Sequence, residues 1–246
     1  MSLAEAVALG GVIAVATPAL TAVHPLRRAV TSRVLPRLHG VAPGGHIALT
    51  YDDGPDPAST PRFLDLLAEH STRATFFLLG EHVVREPALV RRMADEGHEL
   101  GVHGWSHRCA AFIGPRRLAT ELNRTKDAIE QAGGLPVRWY RPPYGVSTTP
   151  TLLAARYVGL TTVLWTAWGV DWRRGRTAEQ VVDAVTRDLR PGGTVLLHDT
   201  DRASTPGSWR TTLAASRVLL DRFTAAGAHV GPLADHWPTA ATAPAA

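Results

Sequence analysis

His46-Ile47-Ala48-Leu49-Thr50-Tyr51 runs straight into Asp52-Asp53-Gly54-Pro55, and that junction decides how the chain is read. The first six residues join aliphatic, β-branched and aromatic side chains in a run of strand length, and Asp-Gly-Pro is turn chemistry that stops it. Side chains alternate across a strand, so adjacent carboxylates at its end leave in different directions. One can then bind a cation while the other stays free as a base. A plain Asp-Gly-Pro turn is the bland alternative.

The same grammar repeats outward from this point. Strands are expected at His46–Tyr51, Ala74–Leu79, Glu99–Val102, Val137–Arg141, Thr161–Thr166, Thr194–Leu197 and Ala228–Pro232. Helices are expected between them, at Thr60–His70, Glu81–Glu96, Pro115–Gln131, Thr149–Tyr157, Thr177–Leu189 and Trp209–Ala226. Leu118, Leu122 and Ile129 recur at helical spacing, as do Val218, Leu219 and Phe223. Gly97, Gly133, Gly159 and Gly227 stand where several of these helices should stop. Repeated strand–helix units imply an α/β fold with a parallel sheet, and about seven of them suit a barrel-like closure as readily as an open sheet. In a barrel the active site lies at the C-terminal strand ends. Chemically capable residues should therefore follow the strands, and they do.

Four more segments fit that rule. His103-Gly104-Trp105-Ser106-His107 follows the third strand, and its two imidazoles can converge on one ion if the backbone turns helical there. Chance pairing is the competing reading, since the chain has 11 His. With a carboxylate from the first strand, two His and one Asp make a set with open positions, the catalytic rather than the structural pattern of a zinc site. Arg141-Pro142-Pro143-Tyr144-Gly145 follows the fourth strand; its prolines stiffen the loop so that the Tyr144 amide can be aimed at an oxyanion. A simple turn with Arg141 as surface charge competes. Trp168-Gly169-Val170-Asp171-Trp172 sets a carboxylate among aromatics, against the alternative of a core tryptophan pair with a capping Asp. Leu196-Leu197-His198-Asp199 places an imidazole at the rim of an apolar run, against that of a buried, satisfied histidine.

These segments, in this order, resemble the motif set of the polysaccharide deacetylases, carbohydrate esterase family four, which includes chitin and peptidoglycan deacetylases. The likeness runs from about His46 to Leu233. It implies a distorted (β/α) barrel, a divalent metal, usually zinc, and removal of the acetyl group from an N-acetylated amino sugar. It assigns Asp53, His103 and His107 as metal ligands and Asp52 as general base with Arg141 paired to it. It assigns His198 as general acid steadied by Asp171, and the Tyr144 amide as an oxyanion donor. Trp172 and Leu196 would line the pocket for the acetyl methyl. Gly104 stands where the family usually has Ser or Thr, and Trp168 where the fourth motif usually opens with Asp. Neither change removes a reacting group, but Trp168 reshapes the cleft. The alternative function is hydrolysis of a non-sugar amide, a cyclic imide or a small natural product on the same fold.

Bulk composition agrees with one large domain. The chain has 246 residues, 45% hydrophobic and 20% charged, and a formal charge of +4. The basic excess is scattered arginine without a block of like charge, so nucleic-acid binding finds no support. Cys109 is the only cysteine, which excludes an internal disulfide and reads as a small hydrophobe. The expected organisation is an N-terminal apolar segment with a basic connector over 1–40, the catalytic domain over 41–237 and a disordered tail over 238–246. Residues 7–23 are apolar but follow Glu5 rather than a basic start, and Pro18 interrupts them. Membrane association through this segment and packing on the body of the enzyme stand as equal readings. A cytoplasmic or membrane-associated location is favoured over secretion, and the oligomeric state is left open.

Overall fold

A single sheet of eight short strands forms the frame, and every ladder in it is parallel. The computed structural model describes residues 35–237, so the segment over 7–23 and the tail after Pro238 lie outside the described residues. The strands are β1 (Ile47–Asp52), β2 (Thr75–Leu79), β3 (Glu99–Gly104), β4 (Trp139–Tyr140), β5 (Thr161–Thr162), β6 (Ala167–Trp168), β7 (Thr194–His198) and β8 (Val230–Gly231). Their order is β5-β4-β3-β2-β1-β7-β6, with β8 pairing to the first residues of β1. The helices are α1 (Thr60–Glu69), α2 (Gly80–Val83), α3 (Pro87–Asp95), α4 (Pro115–Gly133), α5 (Thr149–Tyr157), α6 (Ala178–Asp188) and α7 (Ser208–Ala225). This is the distorted (β/α) barrel expected above, and it does not close fully.

Two expected elements come out differently, each for a physical reason. The strand expected over Thr161–Thr166 keeps only β5, which pairs with β4; the next strand, β6, starts beyond it at the opposite edge and pairs with β7. Four residues cross the gap between them, where the Leu164 N–H donates to the Leu38 carbonyl. The chain before β1 thus fills the seam that a full barrel would close with a ladder. The helix expected over Glu81–Glu96 breaks into α2 and α3 because Pro87 forces its predecessor out of the helical region, and Glu86 has φ −127° and ψ 50°.

Alternation along β1 sorts the core into layers. Ile47, Leu49 and Tyr51 join the large apolar cluster between sheet and helices. Ala48 faces the other way, into a smaller cluster with Phe77, Trp139, Val163 and Leu233. Thr50 and Asp52 continue that concave face towards the C-terminal rim. Among the described residues no helix is long and apolar enough to cross a membrane.

Phe76 is fully buried in the sheet–helix layer, with its ring stacked 5.3 Å from that of Tyr51. Phe76→Ala is expected to cost about 3–5 kcal/mol in urea denaturation. Leu153→Ala, at a side chain 60% exposed on α5, is expected to stay within about 0.5 kcal/mol of the parent.

Candidate active site

The concave face ends in a buried arginine. Arg141, just after β4, is 0% exposed, so the reading of it as surface charge is wrong. Its Nη1 donates to Asp52 Oδ1 at 2.8 Å and to Thr50 Oγ1 at 2.7 Å, and its Nη2 donates to the Leu164 carbonyl at 3.0 Å. The guanidinium lies 4.1 Å from the centre of the Phe77 ring. Burial lowers its pKa and Asp52 pulls it back up; an arginine keeps its charge in such a place. Asp52 is held by that charge with its carboxylate at the floor of the cleft.

Asp53 turns away from this interior network. It is the first residue beyond β1 and has φ 80°, a left-handed conformation that aims its side chain towards the third strand. Its Oδ1 lies 3.2 Å from His103 Nε2 and 3.4 Å from His107 Nε2. The three potential ligand atoms fall within 4.8 Å of one another. The two imidazoles do not converge through a helical turn. His103 ends its run on β3, and Gly104, at φ 113°, bends the chain so that His107 returns to the same point. A Cβ at Gly104 would meet the Ser106 carbonyl oxygen at 3.3 Å, in a conformation that side-chain-bearing residues rarely adopt. The glycine is therefore part of how the ligands meet.

The donor set fits a divalent cation. Asp53 Oδ1 is buried without a hydrogen-bond partner, a costly state that an ion would relieve. His103 Nδ1 lies 2.8 Å from the Arg141 carbonyl, which fixes the N–H there and leaves the Nε2 lone pair for the ion. Burial lowers His107 to about 4, against the pull of Asp53, so its imidazole is neutral at ordinary pH. Burial pushes Asp53 up, yet the His103 contact prevails and holds its carboxyl below the usual range.

His198 closes the other side. It is the register partner of Asp52 across the β1–β7 ladder, so both stand on the same rim. Its Nδ1 sits 3.0 Å from Asp171 Oδ1, and its backbone N–H donates to Asp171 Oδ2 at 2.8 Å. Thr212 of α7 donates to the same Asp171 oxygen at 2.9 Å. Burial works against a charge on His198, but Asp171, Asp53 and Asp52 outweigh it and raise its pKa to about 10. Val170, before Asp171, has φ 52°, and Tyr144 has φ 62°. A β-branched residue in that region is a true outlier, of the kind that gathers at functional sites.

A cavity of about 270 Å³ joins these groups, lined by Asp52, Asp53, His103, His107, Tyr144 and His198 at its base. Trp165, Trp168, Trp172 and Leu196 form one wall, and Ala203 and Ser204 add to the rim. The indoles follow one another at 5.8 Å (Trp165 to Trp168) and 5.0 Å (Trp168 to Trp172), and Trp172 meets the His198 ring edge-on at 5.6 Å. Sequence reasoning missed Trp165, which fell inside an expected strand and was read as sheet. It also missed Thr50, and His82, whose Nδ1 lies 3.2 Å from the Asp53 carbonyl. No local spacing signals those two. Cys109 is half-buried and outside the cavity lining.

A family model described as polysaccharide deacetylase matches residues 39–163. A chitooligosaccharide deacetylase from Sinorhizobium fredii is 38% identical over 194 residues, spanning 76% of this chain and 89% of that protein. The chain belongs to the polysaccharide deacetylase family. The relatives named as deacetylases are hydrolases of carbon–nitrogen amide bonds. Among solved structures, the Bc1960 peptidoglycan N-acetylglucosamine deacetylase is similar at TM-score 0.76 and 30% identity, covering 85% of this chain and 97% of that one. BA3943, a carbohydrate esterase family four pseudoenzyme from Bacillus anthracis, is similar at TM-score 0.70 and 26% identity, covering 78% of this chain and 65% of that one. A polysaccharide deacetylase fold therefore does not guarantee chemistry. The rim side chains decide it.

The raised pKa of His198 carries a stability signature. A proton held more tightly in the folded state stabilises it fully below the unfolded value near 6.5, and that contribution fades as pH rises towards about 10. Metal-stripped protein is expected to lose stability across this window, and Asp171→Asn is expected to flatten the decline. Urea midpoints measured at several pH values for both proteins check it; equal slopes would place the proton elsewhere.

Proposed function

We propose that the chain removes the N-acetyl group from an N-acetylated amino sugar, in a polysaccharide, an oligosaccharide or a glycoconjugate. The observation that carries this reading is one cavity lined by the Asp53–His103–His107 cluster together with Asp52 and His198, with Asp171 hydrogen-bonded behind His198. Zinc is the metal we assign, because two imidazoles and one carboxylate with open positions suit a catalytic zinc site. When bound, the metal supplies Lewis acidity towards the amide carbonyl and a nucleophile at neutral pH.

The remaining work falls to the chain. Asp52, oriented by Arg141, accepts the proton of the attacking water. The Tyr144 amide, in its left-handed loop position, serves as donor to the developing oxyanion. His198 holds its Nδ1 proton against Asp171 and gives the Nε2 proton to the departing amine, the poorest leaving group of the reaction. Trp172 and Leu196 take the acetyl methyl. The cavity is small by the standard of ligand pockets, about 300–1,000 Å³, which suits the acetamido end of one sugar unit. Trp168 offers an indole face to the apolar side of a sugar ring.

A second reading, a non-sugar amide or cyclic imide, draws on the same wall, since three consecutive indoles would also suit a flat hydrophobic substrate.

Zinc-loaded protein is expected to release acetate from N-acetylglucosamine oligomers, and a chelator to abolish release. Asp52→Asn and His198→Ala are each expected to lower kcat by about 10²–10⁴ while zinc content stays at wild-type level. Loss of zinc in either variant would overturn the roles assigned to them.

Trp168→Ala is expected to raise KM for oligomers with little change in kcat, the mark of uniform binding. Turnover of small amides or imides without acetate release from any sugar would favour the second reading.

A further inference from the structure

The ladder between β1 and β7 ends at Asp52 and His198; Asp53 opens the loop that leaves β1, and the second loop leaves directly from His198. Among the described residues no backbone hydrogen bond joins 53–60 to 199–207. Side chains join them instead, and they do so in both directions. Thr60, the first residue of α1, donates its hydroxyl to Asp199 Oδ2. Thr200 donates its hydroxyl to Asp56 Oδ2 at 2.8 Å. Each loop thus supplies one carboxylate and one hydroxyl, and each carboxylate accepts from the other loop. All four residues are buried.

The two arms are themselves connected. The Asp56 N–H donates to Thr60 Oγ1 at 2.9 Å, so the hydroxyl that reaches Asp199 also braces the turn containing Asp56. Arg202 Nε donates to Asp56 Oδ2 at 2.8 Å from the outer side. Asp199 lies against the backbone next to the metal ligand: a Cβ on Gly54 would come 2.6 Å from its Oδ2. Only a glycine lets the two loops approach so closely. Burial pushes Asp199 up to about 7, with the Thr60 contact opposing it, and its Oδ1 has no partner. A carboxyl in that place works against folding, and no step of the reaction proposed above uses it.

We propose that Asp56, Thr60, Asp199 and Thr200 form a crossed clamp that positions Asp53 relative to His198. They are positioning residues: none touches the reacting atoms, and each acts through the strand ends it ties. The inference rests on the deacetylase reading for the role of His198, while its effect on the metal ligand is independent of any substrate.

The test uses the full chain with Thr60→Val, Thr200→Val, their double variant and Thr60→Ser. The valine changes keep the shape and delete the hydroxyl; serine restores it. Zinc affinity is read by competition with a chromophoric chelator, and kcat and KM by acetate release from N-acetylglucosamine oligomers. Each valine variant is expected to weaken zinc binding about 10-fold and to lower kcat at nearly constant KM. The double variant is expected to lose less than the product of the single losses, because both arms set one distance. Thr60→Ser is expected to recover both readouts. Valine variants that lose thermal stability yet keep wild-type zinc affinity and kcat would reduce the clamp to ordinary packing. Should they fail to fold, Arg202→Met probes the outer arm, with partial loss of zinc affinity expected and full retention overturning the proposal. Wild-type protein that binds zinc in a clamp-dependent way but releases no acetate would sink the substrate reading and leave the clamp standing.

Discussion

The charge of Arg141, sealed inside a half-barrel, is the constraint on which the rest of the molecule depends. A guanidinium removed from water must be paired and hydrogen-bonded, or it destabilises the fold severely. Here three partners come from two separate places: Asp52 and Thr50 on β1, and the Leu164 carbonyl in the seam between β5 and β6. Pairing its two terminal nitrogens thereby fixes Asp52, the base proposed above, and holds the unclosed edge of the barrel in place. The backbone of the same residue does a second task, since its carbonyl orients His103. Asp52 and the Asp53–His103–His107 cluster are thus referred to a single anchor, and a rigid site follows from a folding requirement.

Around that anchor the charges are divided. Asp52 answers to Arg141, and Asp171 answers to His198. Of these three carboxylates, only that of Asp53 has a buried oxygen with no hydrogen-bond partner. Its nearest partners are the His103 and His107 imidazoles, and His107 is uncharged at ordinary pH. An ion there completes the electrostatics rather than disturbing them. The backbone carries the cost of this division, as Asp53, Tyr144 and Val170 all occupy the left-handed region at the ends of strands or in the loops beyond them. Strain of about 1–3 kcal/mol per residue persists only where surrounding structure fixes it.

Much of this was legible in sequence because it is local. A β-branched run that stops at Asp-Asp-Gly-Pro, and paired histidines after another such run, announce strand ends bearing chemistry. The barrel rule then places those ends on one rim. What could not be read depends on partners distant in the chain. Thr161–Thr166 has strand composition throughout, yet only Thr161–Thr162 pairs, because the sheet stays open there and the next strand, Ala167–Trp168, belongs to its other edge. Arg141 could be paired with Asp52 only through the family resemblance, because nothing near it in sequence reveals a carboxylate 89 positions away. Trp165 was hidden by its own strand-like surroundings. Gly104, which seemed a mere departure from the family pattern, proved to be the residue that lets His107 fold back. Pro87 was visible and should have divided α2 from α3, since the residue before a proline is forced out of the helical region.

Similarity to both a deacetylase and a pseudoenzyme limits what fold can say about this chain. The sheet provides parallel strands with their C-terminal ends gathered on one rim, and any chain with that sheet obtains a cleft. Chemistry needs more: a carboxylate poised beside a cation, and an acid that retains its proton until the amine departs. Retention of that proton is itself a structural matter, set by Asp171 and by Thr212 behind it. The distance between Asp53 and His198 is a further one, and strand register alone cannot supply it, because they lie at or beyond the last paired residues. Side chains bridging the two loops are the available means, and the buried Asp–Thr pairs are where the chain provides them. Precision at the rim is thus built separately from the barrel beneath it, and a fold can outlive the loss of its activity.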